Sequence, residues 1–141
     1  MIGKKLSLTT AIVVTVLLGL LAAKHLMTHQ TTPDSDLSPV QAKKIIEANQ
    51  GNEHFYLIDI RTLGEFGSGH LSEAINIDFG SADFEEKMKA YDSLNILLLY
   101  CRSGNRSRFA IRNLSHAGFK GLYHIAGGIV AWEKAGYSIE K

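Results

Sequence analysis

Tyr100-Cys101-Arg102-Ser103-Gly104-Asn105-Arg106-Ser107 is the stretch on which the reading of this chain turns. It holds the only cysteine. An apolar, strand-like run, Asn95 to Leu99, leads into it, and a helix-like run, Arg106 to Ala117, leads out. A thiol at such a junction sits where backbone N–H groups and the positive end of a helix converge, which favours thiolate over thiol. Arg102 and Arg106 add positive charge beside it. A lone cysteine is commonly just a small buried hydrophobe. That role wants apolar neighbours, whereas arginine, serine, glycine, asparagine and arginine follow here. The segment reads as a nucleophilic sulfur in an anion-binding cradle.

Outward from this loop the chain alternates between strand and helix patterns. Upstream, Ser38-Pro39 opens a helix, with Ser38 as N-cap, Pro39 at the first helical position and Gln41 completing a capping box. Val40, Ile45 and Ile46 supply its apolar stripe, and Asn49 to Asn52 end it. Phe55 to Ile60 reads as a buried strand with Asp59 near its end. A helical turn, Leu63 to Phe66, a Gly67-Ser68-Gly69-His70 loop, a short strand, Ala74 to Ile77, and a helix within Ala82 to Tyr91 follow. Downstream of the cysteine, the helix buries Ala110, Ile111, Leu114 and Ala117 and stops at Gly118. Leu122 to Ile125 is a further strand, and Gly127-Gly128 start a last helix carrying Ile129, Trp132 and Ala135. Strands alternating with helices over short connections predict a parallel sheet covered on both faces. In such sheets ligands bind beyond the C-terminal strand ends, where Asp59, Cys101 and Gly127-Gly128 all fall.

The 15 basic against 14 acidic residues argue against a nucleic-acid binder. One cysteine excludes an internal disulfide and a cysteine-cluster metal site. The six histidines show no ligand spacing, read as scattered surface or turn residues, and lead us to expect no metal. At the N-terminus Lys4 and Lys5 precede an uncharged run from Leu6 to Ala23, which as a helix would be about 27 Å long, near the hydrocarbon thickness of a bilayer. Residues 1–24 are therefore expected to be a transmembrane anchor, 25–36 a tether rich in polar residues, and 37–141 one domain. The alternative, a cleaved signal peptide, fits less well because Leu20 or Leu21 would stand at the −3 position. The paired lysines place the domain outside the cytoplasm, in a periplasm-like space, either anchored to the membrane through residues 6–23 or secreted after cleavage.

From about Leu37 to Tyr137 the chain resembles a single-domain rhodanese, of the sulfurtransferase family. The likeness is carried by Leu57-Ile58-Asp59-Ile60-Arg61 with Glu65-Phe66 and Gly69-His70, by the Cys101 to Ser107 loop, and by Gly127-Gly128 with Trp132. It implies an α/β, three-layer domain with a central parallel sheet and helices on both faces. It implies Cys101 as nucleophile and persulfide carrier, with no cofactor beyond that covalent persulfide. The partners implied are a small anionic sulfur donor such as thiosulfate and an acceptor, cyanide or a thiol. The backbone N–H groups of Arg102, Ser103, Gly104, Asn105 and Arg106 would bind the substrate, with the Arg102 and Arg106 side chains available to sulfonate oxygens. Asp59 and Arg61 are supporting residues: Asp59 as an acceptor for loop N–H groups, Arg61 either paired with Glu65 at i, i+4 or in contact with substrate. His70 fixes its turn and Trp132 belongs to the core.

Three rival functions are weighed against this one. A cysteine phosphatase or arsenate reductase wants C-x5-R, but that arginine position holds Ser107, and Arg106 makes C-x4-R. A non-catalytic binding module would not need the cysteine at all. A persulfide relay for a membrane or extracytoplasmic partner uses the same residues with a different donor. The helix face with Arg106, Arg108 and Arg112 fits either steering of an anionic donor or plain solvation.

Overall fold

The apolar runs pair side by side. In the computed structural model, which describes residues 35–141, five strands form one wholly parallel sheet: β1 (Asp36–Leu37), β2 (Phe55–Asp59), β3 (Ile75–Asn76), β4 (Ile96–Tyr100) and β5 (Gly121–Ile125), in the order β1-β5-β4-β2-β3. The helices are α1 (Pro39–Ala48), α2 (Leu63–Gly67), α3 (Phe84–Met88), α4 (Asn105–His116) and α5 (Gly128–Lys134). The expected anchor and nearly all of the tether lie outside the described residues; among those described, no helix is long and apolar enough to cross a membrane. Asp36, assigned to the tether on composition, instead opens β1 and pairs in register with His124.

Side-chain alternation along β4 divides the core into two layers. Leu97, Leu99 and Cys101 face Phe84 and Met88 of α3 and Ala110, Ile111 and Leu114 of α4. Leu98 and Tyr100 face Ala42 of α1 and Ile129 and Trp132 of α5. Helices therefore cover both faces, as parallel pairing requires. β4 is central and buried along nearly its whole length, which is why its sequence is continuously apolar rather than alternating.

Local chemistry explains most boundaries. Ser38 and Gln41 form the expected reciprocal cap of α1. Thr62 and Glu65 repeat the device at α2. Within α1 the expected stripe is corrected: Val40 is half exposed, Ala42 is the buried residue, and Ile45 and Ile46 are only partly covered. Ala42 packs in one cluster with Leu37 of β1 and with Ile129 and Trp132 of α5. Ala117 and Ala135 follow the last helical turns of α4 and α5 and are exposed, the packing there being taken over by Phe119 and Trp132.

Candidate active site

Cys101 stands one residue beyond β4, at the C-terminal edge of the sheet, and is 0% exposed. The backbone then turns sharply. Gly104 adopts φ +88 at the N-cap of α4, and a Cβ there would lie 2.9 Å from the Gly127 nitrogen. Gly128, φ +60, lies closer still to the loop: a Cβ would come within 2.2 Å of the Cys101 carbonyl oxygen and 2.6 Å of that of Arg102. Only glycine tolerates both the conformation and the approach. The contact has a purpose. Ile129 N–H donates to the Cys101 carbonyl (2.9 Å) and Val130 N–H to that of Arg102 (3.2 Å). With its carbonyls tied back onto the start of α5, the loop turns N–H groups inward.

Those groups converge on the sulfur. Gly104 N–H donates to Sγ at 3.2 Å, and the Ser107 hydroxyl lies 3.7 Å from it. Burial alone would push the Cys101 thiol up. The N–H and hydroxyl of Ser107, with the N–H groups of Ser103 and Gly104, outweigh burial and hold it below its ordinary value. Stabilisation of the anion thus comes from dipoles on a fixed loop at the head of a twelve-residue helix, with the Arg106 guanidinium adding positive charge beside the sulfur.

The expected substrate-binding residues divide. Gly104 donates its N–H to the sulfur, and the Ser103 N–H helps hold the thiol below its ordinary value. Asn105 begins α4 and, like Arg102, has an exposed side chain. Arg106 is not free: its two terminal nitrogens donate to Glu65 Oε2 (3.0 Å) and Oε1 (2.8 Å). This bidentate pairing holds the Glu65 carboxyl down to about 2. The Arg61–Glu65 pair expected from i, i+4 spacing is accordingly absent. Glu65 is the N3 residue of a five-residue helix and turns toward Thr62 and Arg106, while Arg61 precedes the helix altogether.

Asp59 and Arg61 form a separate site. Asp59 is opposite Tyr100 in register, and Tyr100 points to the face away from Cys101. Arg61 Nε reaches both Asp59 oxygens at 3.0 Å, and its Nη2 donates to Asp59 Oδ2 and to the Gly69 carbonyl, each at 2.6 Å. The guanidinium lies over the Tyr100 ring. Asp59 does accept a loop N–H, that of Arg61 at 2.9 Å, but the loop is β2–α2 and not the cysteine loop. One residue of strand alternation separates this pair from the sulfur. His70 behaves as expected, stacked on Phe66 with Nδ1 3.2 Å from the Phe66 carbonyl.

Sequence reasoning missed the other polar group near the sulfur. His124 is 0% exposed on β5, its Nδ1 3.2 Å from Ser107 Oγ and its Nε2 2.6 Å from Asp36 Oδ1. It is not one of a set of scattered surface histidines. The signal available was its place in an otherwise apolar strand, Leu122 to Ile125, where a polar residue on the buried face requires a partner. Among the described residues no group of His, Cys, Asp and Glu is arranged to hold a metal ion.

The chain is similar to known proteins along most of its described length. The family described as Rhodanese-like domain matches residues 38–135. YtwF of Bacillus subtilis (strain 168), which carries a provisional sulfurtransferase name, is 37% identical over 98 residues, spanning 70% of this chain and 89% of that protein. Thiosulfate sulfurtransferase 16, chloroplastic, of Arabidopsis thaliana is 38% identical over 93 residues, 59% of this chain and 77% of its own. The crystal structure of a rhodanese-related protein from Thermoplasma volcanium superposes with a TM-score of 0.61 at 25% identity, covering 74% of this chain and 96% of that one. With the buried cysteine on its glycine-pinned loop between a central parallel strand and a helix, the chain belongs to the rhodanese-like domain family.

Proposed function

We propose that the protein is a sulfurtransferase that moves a sulfane sulfur from an anionic donor, such as thiosulfate, to a thiophilic acceptor, cyanide or a thiol, through a persulfide on Cys101. The observation that carries this reading is the convergence of the Gly104 N–H, at 3.2 Å, and the Ser107 hydroxyl, at 3.7 Å, on the single buried sulfur at the head of α4. The Cys101 thiolate attacks the outer sulfur of the donor. A new S–S bond forms, the donor's own S–S bond breaks, and sulfite leaves with the electron pair. The outer sulfur of the resulting persulfide carries negative charge, which an N–H cradle stabilises and a hydrophobic site would not. An acceptor nucleophile then takes that sulfur, and the Cys101 thiolate departs as the leaving group. Net charge is conserved at each step, and no redox partner is required.

Geometry also weighs against phosphate-ester chemistry. The loop position at which a cysteine phosphatase carries its arginine is occupied by Ser107, which is buried and faces the sulfur. Arg106, the nearest arginine, is engaged by Glu65. With Arg106 one residue closer to Cys101 than in C-x5-R, the shorter loop suits a single sulfur atom better than a tetrahedral oxyanion. Use of the same persulfide as a relay to a membrane or extracytoplasmic partner remains part of the proposal, as does display of the domain outside the cytoplasm by the apolar N-terminal run.

The test is a thiosulfate:cyanide assay scored by thiocyanate, with Cys101→Ser alongside. Turnover by the parent and none by the variant is the expected result. Mass spectrometry of parent protein treated with thiosulfate alone should show one added sulfur on Cys101. A folded, reduced parent that neither turns over nor gains sulfur would remove thiosulfate as the donor.

A further inference from the structure

Cys101 is buried, so its thiol proton has no direct exit to water. Beside it lies a hydrogen-bonded path leading to the surface. Asp36 and His124 are paired in register on neighbouring parallel strands, and His124 Nε2 meets Asp36 Oδ1 at 2.6 Å. Arg108 of α4 holds the other Asp36 oxygen at 3.1 Å. An ionised carboxylate only accepts, so Nε2 carries a hydrogen. Nδ1 on the opposite side of the ring lies 3.2 Å from Ser107 Oγ. The Ser107 hydroxyl has one proton and three acceptors within reach: Nδ1, the Gly104 carbonyl at 3.1 Å and Cys101 Sγ at 3.7 Å.

The state of Nδ1 decides where that proton goes. A bare Nδ1 takes the hydroxyl proton. A protonated Nδ1 donates to Oγ instead and leaves the hydroxyl to the sulfur or the Gly104 carbonyl. An anionic sulfur is the stronger of those two acceptors, since hydrogen bonds to charged acceptors are the strong ones. Charge on the sulfur and a proton on His124 therefore favour each other through Ser107.

We propose that Ser107, His124 and Asp36 form a proton path that takes the Cys101 thiol proton and keeps it while the sulfur is anionic. The proposal rests on the reading of Cys101 as the nucleophile. The Sγ–H bond breaks as an Oγ–H bond forms on Ser107. The original Ser107 proton passes to Nδ1, giving an imidazolium whose Nε2–H points at Asp36. The movement reverses when the thiol re-forms; no electrons change hands and no co-reactant enters. The charged and titratable groups facing His124 are Asp36 from β1, Arg108 of α4 behind that carboxylate, and Cys101 beyond Ser107; the sulfur itself also faces the Arg106 guanidinium, which Glu65 of α2 holds. His124 and Asp36 are positioning residues, because they act on the sulfur through Ser107.

The experiment is the rate of iodoacetamide alkylation of Cys101 against pH, in the full chain, for the parent, Ser107→Ala, His124→Gln, the double variant and Asp36→Asn. The readout needs no sulfur donor, so it is independent of whether thiosulfate is turned over. Ser107→Ala and His124→Gln should each move the alkylation midpoint upward, by about one pH unit, so that the rate well below the midpoint falls roughly tenfold. The double variant should move it no further than Ser107→Ala alone, because His124 acts on the sulfur only through Ser107. Asp36→Asn, at a half-exposed position that tolerates the change, should move it the same way by less. Superposable profiles for the parent and a folded Asp36→Asn protein, or additive shifts in the double variant, would overturn the proposal. If His124→Gln fails to fold, the Asp36→Asn profile decides alone.

Discussion

Two polar clusters sit at the C-terminal edge of the same sheet, one strand apart, and they are built on opposite principles. In the Asp59–Arg61 cluster every charge has a fixed partner: carboxylate oxygens, guanidinium nitrogens and the Gly69 carbonyl close on one another. In the Cys101 cluster donors outnumber acceptors, and the one atom on which they converge is a sulfur that need not be charged. A closed network is scaffold. It fixes the β2–α2 turn and the loop carrying His70, and it can do nothing further without being broken. An open network of donors waits for charge to arrive, as a site that stabilises a developing anion must. The two are distinguished by where the acceptors are, not by how buried or how polar they are.

The largest expected effect comes from opening the closed cluster. Arg61→Ala leaves Asp59, 0% exposed, without its counter-charge. Breaking a buried pair from one side typically costs about 3–5 kcal/mol, most of it the penalty on the stranded charge. The denaturation midpoint should fall accordingly. Below the transition, the alkylation rate of Cys101 should stay within about twofold of the parent, because a stability change adds little at distant, uncoupled groups. A large loss of thiol reactivity in folded Arg61→Ala protein would show that the two clusters are one.

Next is a change that pushes on the open cluster without touching any of its donors. Gly128→Ala places a methyl 2.2 Å from the Cys101 carbonyl oxygen in a residue at φ +60. The loop must retreat from α5, the bonds from Ile129 and Val130 lengthen, and the inward N–H groups lose their aim. A misplacement of about 1 Å at a reacting centre can cost catalysis about 10²-fold. Sulfur transfer should fall by that order, while the far-ultraviolet circular dichroism of the folded protein is retained. Unchanged turnover would mean that the loop holds its shape without α5.

How much of this was legible in the sequence follows the same division. The α/β order, the parallel sheet, the α1 cap at Ser38 and Gln41, and the loop with Cys101 are local patterns that a single pass along the chain recovers. What it cannot recover is which side chains meet across the fold. Arg61 and Glu65 have the spacing of a helical pair, but α2 starts only at Leu63, so their geometry is not helical. Arg106 meets Glu65 across 41 residues and Asp36 meets His124 across 88, distances over which no periodicity speaks. Alternation along β4 did carry the information that Tyr100 and Cys101 face apart, and with the β2 register it removes Asp59 from the sulfur's side. That register is known only once the strands are paired.

The smallest expected effect tests the ion pair at the rim of the open cluster. Glu65→Gln keeps a side-chain oxygen for the Thr62 cap and removes only the charge facing Arg106. Both side chains are about one-third exposed, so solvent screens the pair and its worth at neutral pH is at most about 1 kcal/mol. Its pH dependence is more telling than its size. The Glu65 carboxyl is lowered from 4.5 to about 2, chiefly by Arg106, with Thr62 assisting against burial. A lowered carboxyl contributes stability that is present above its unfolded value and lost as pH falls through the folded one. The parent should therefore lose its advantage over Glu65→Gln as pH drops from about 4.5 toward 2, and the two stability curves should converge at the acid end. A constant gap between them across that window would mean that the pair contributes shape alone, placing Arg106 with the scaffold rather than with the site.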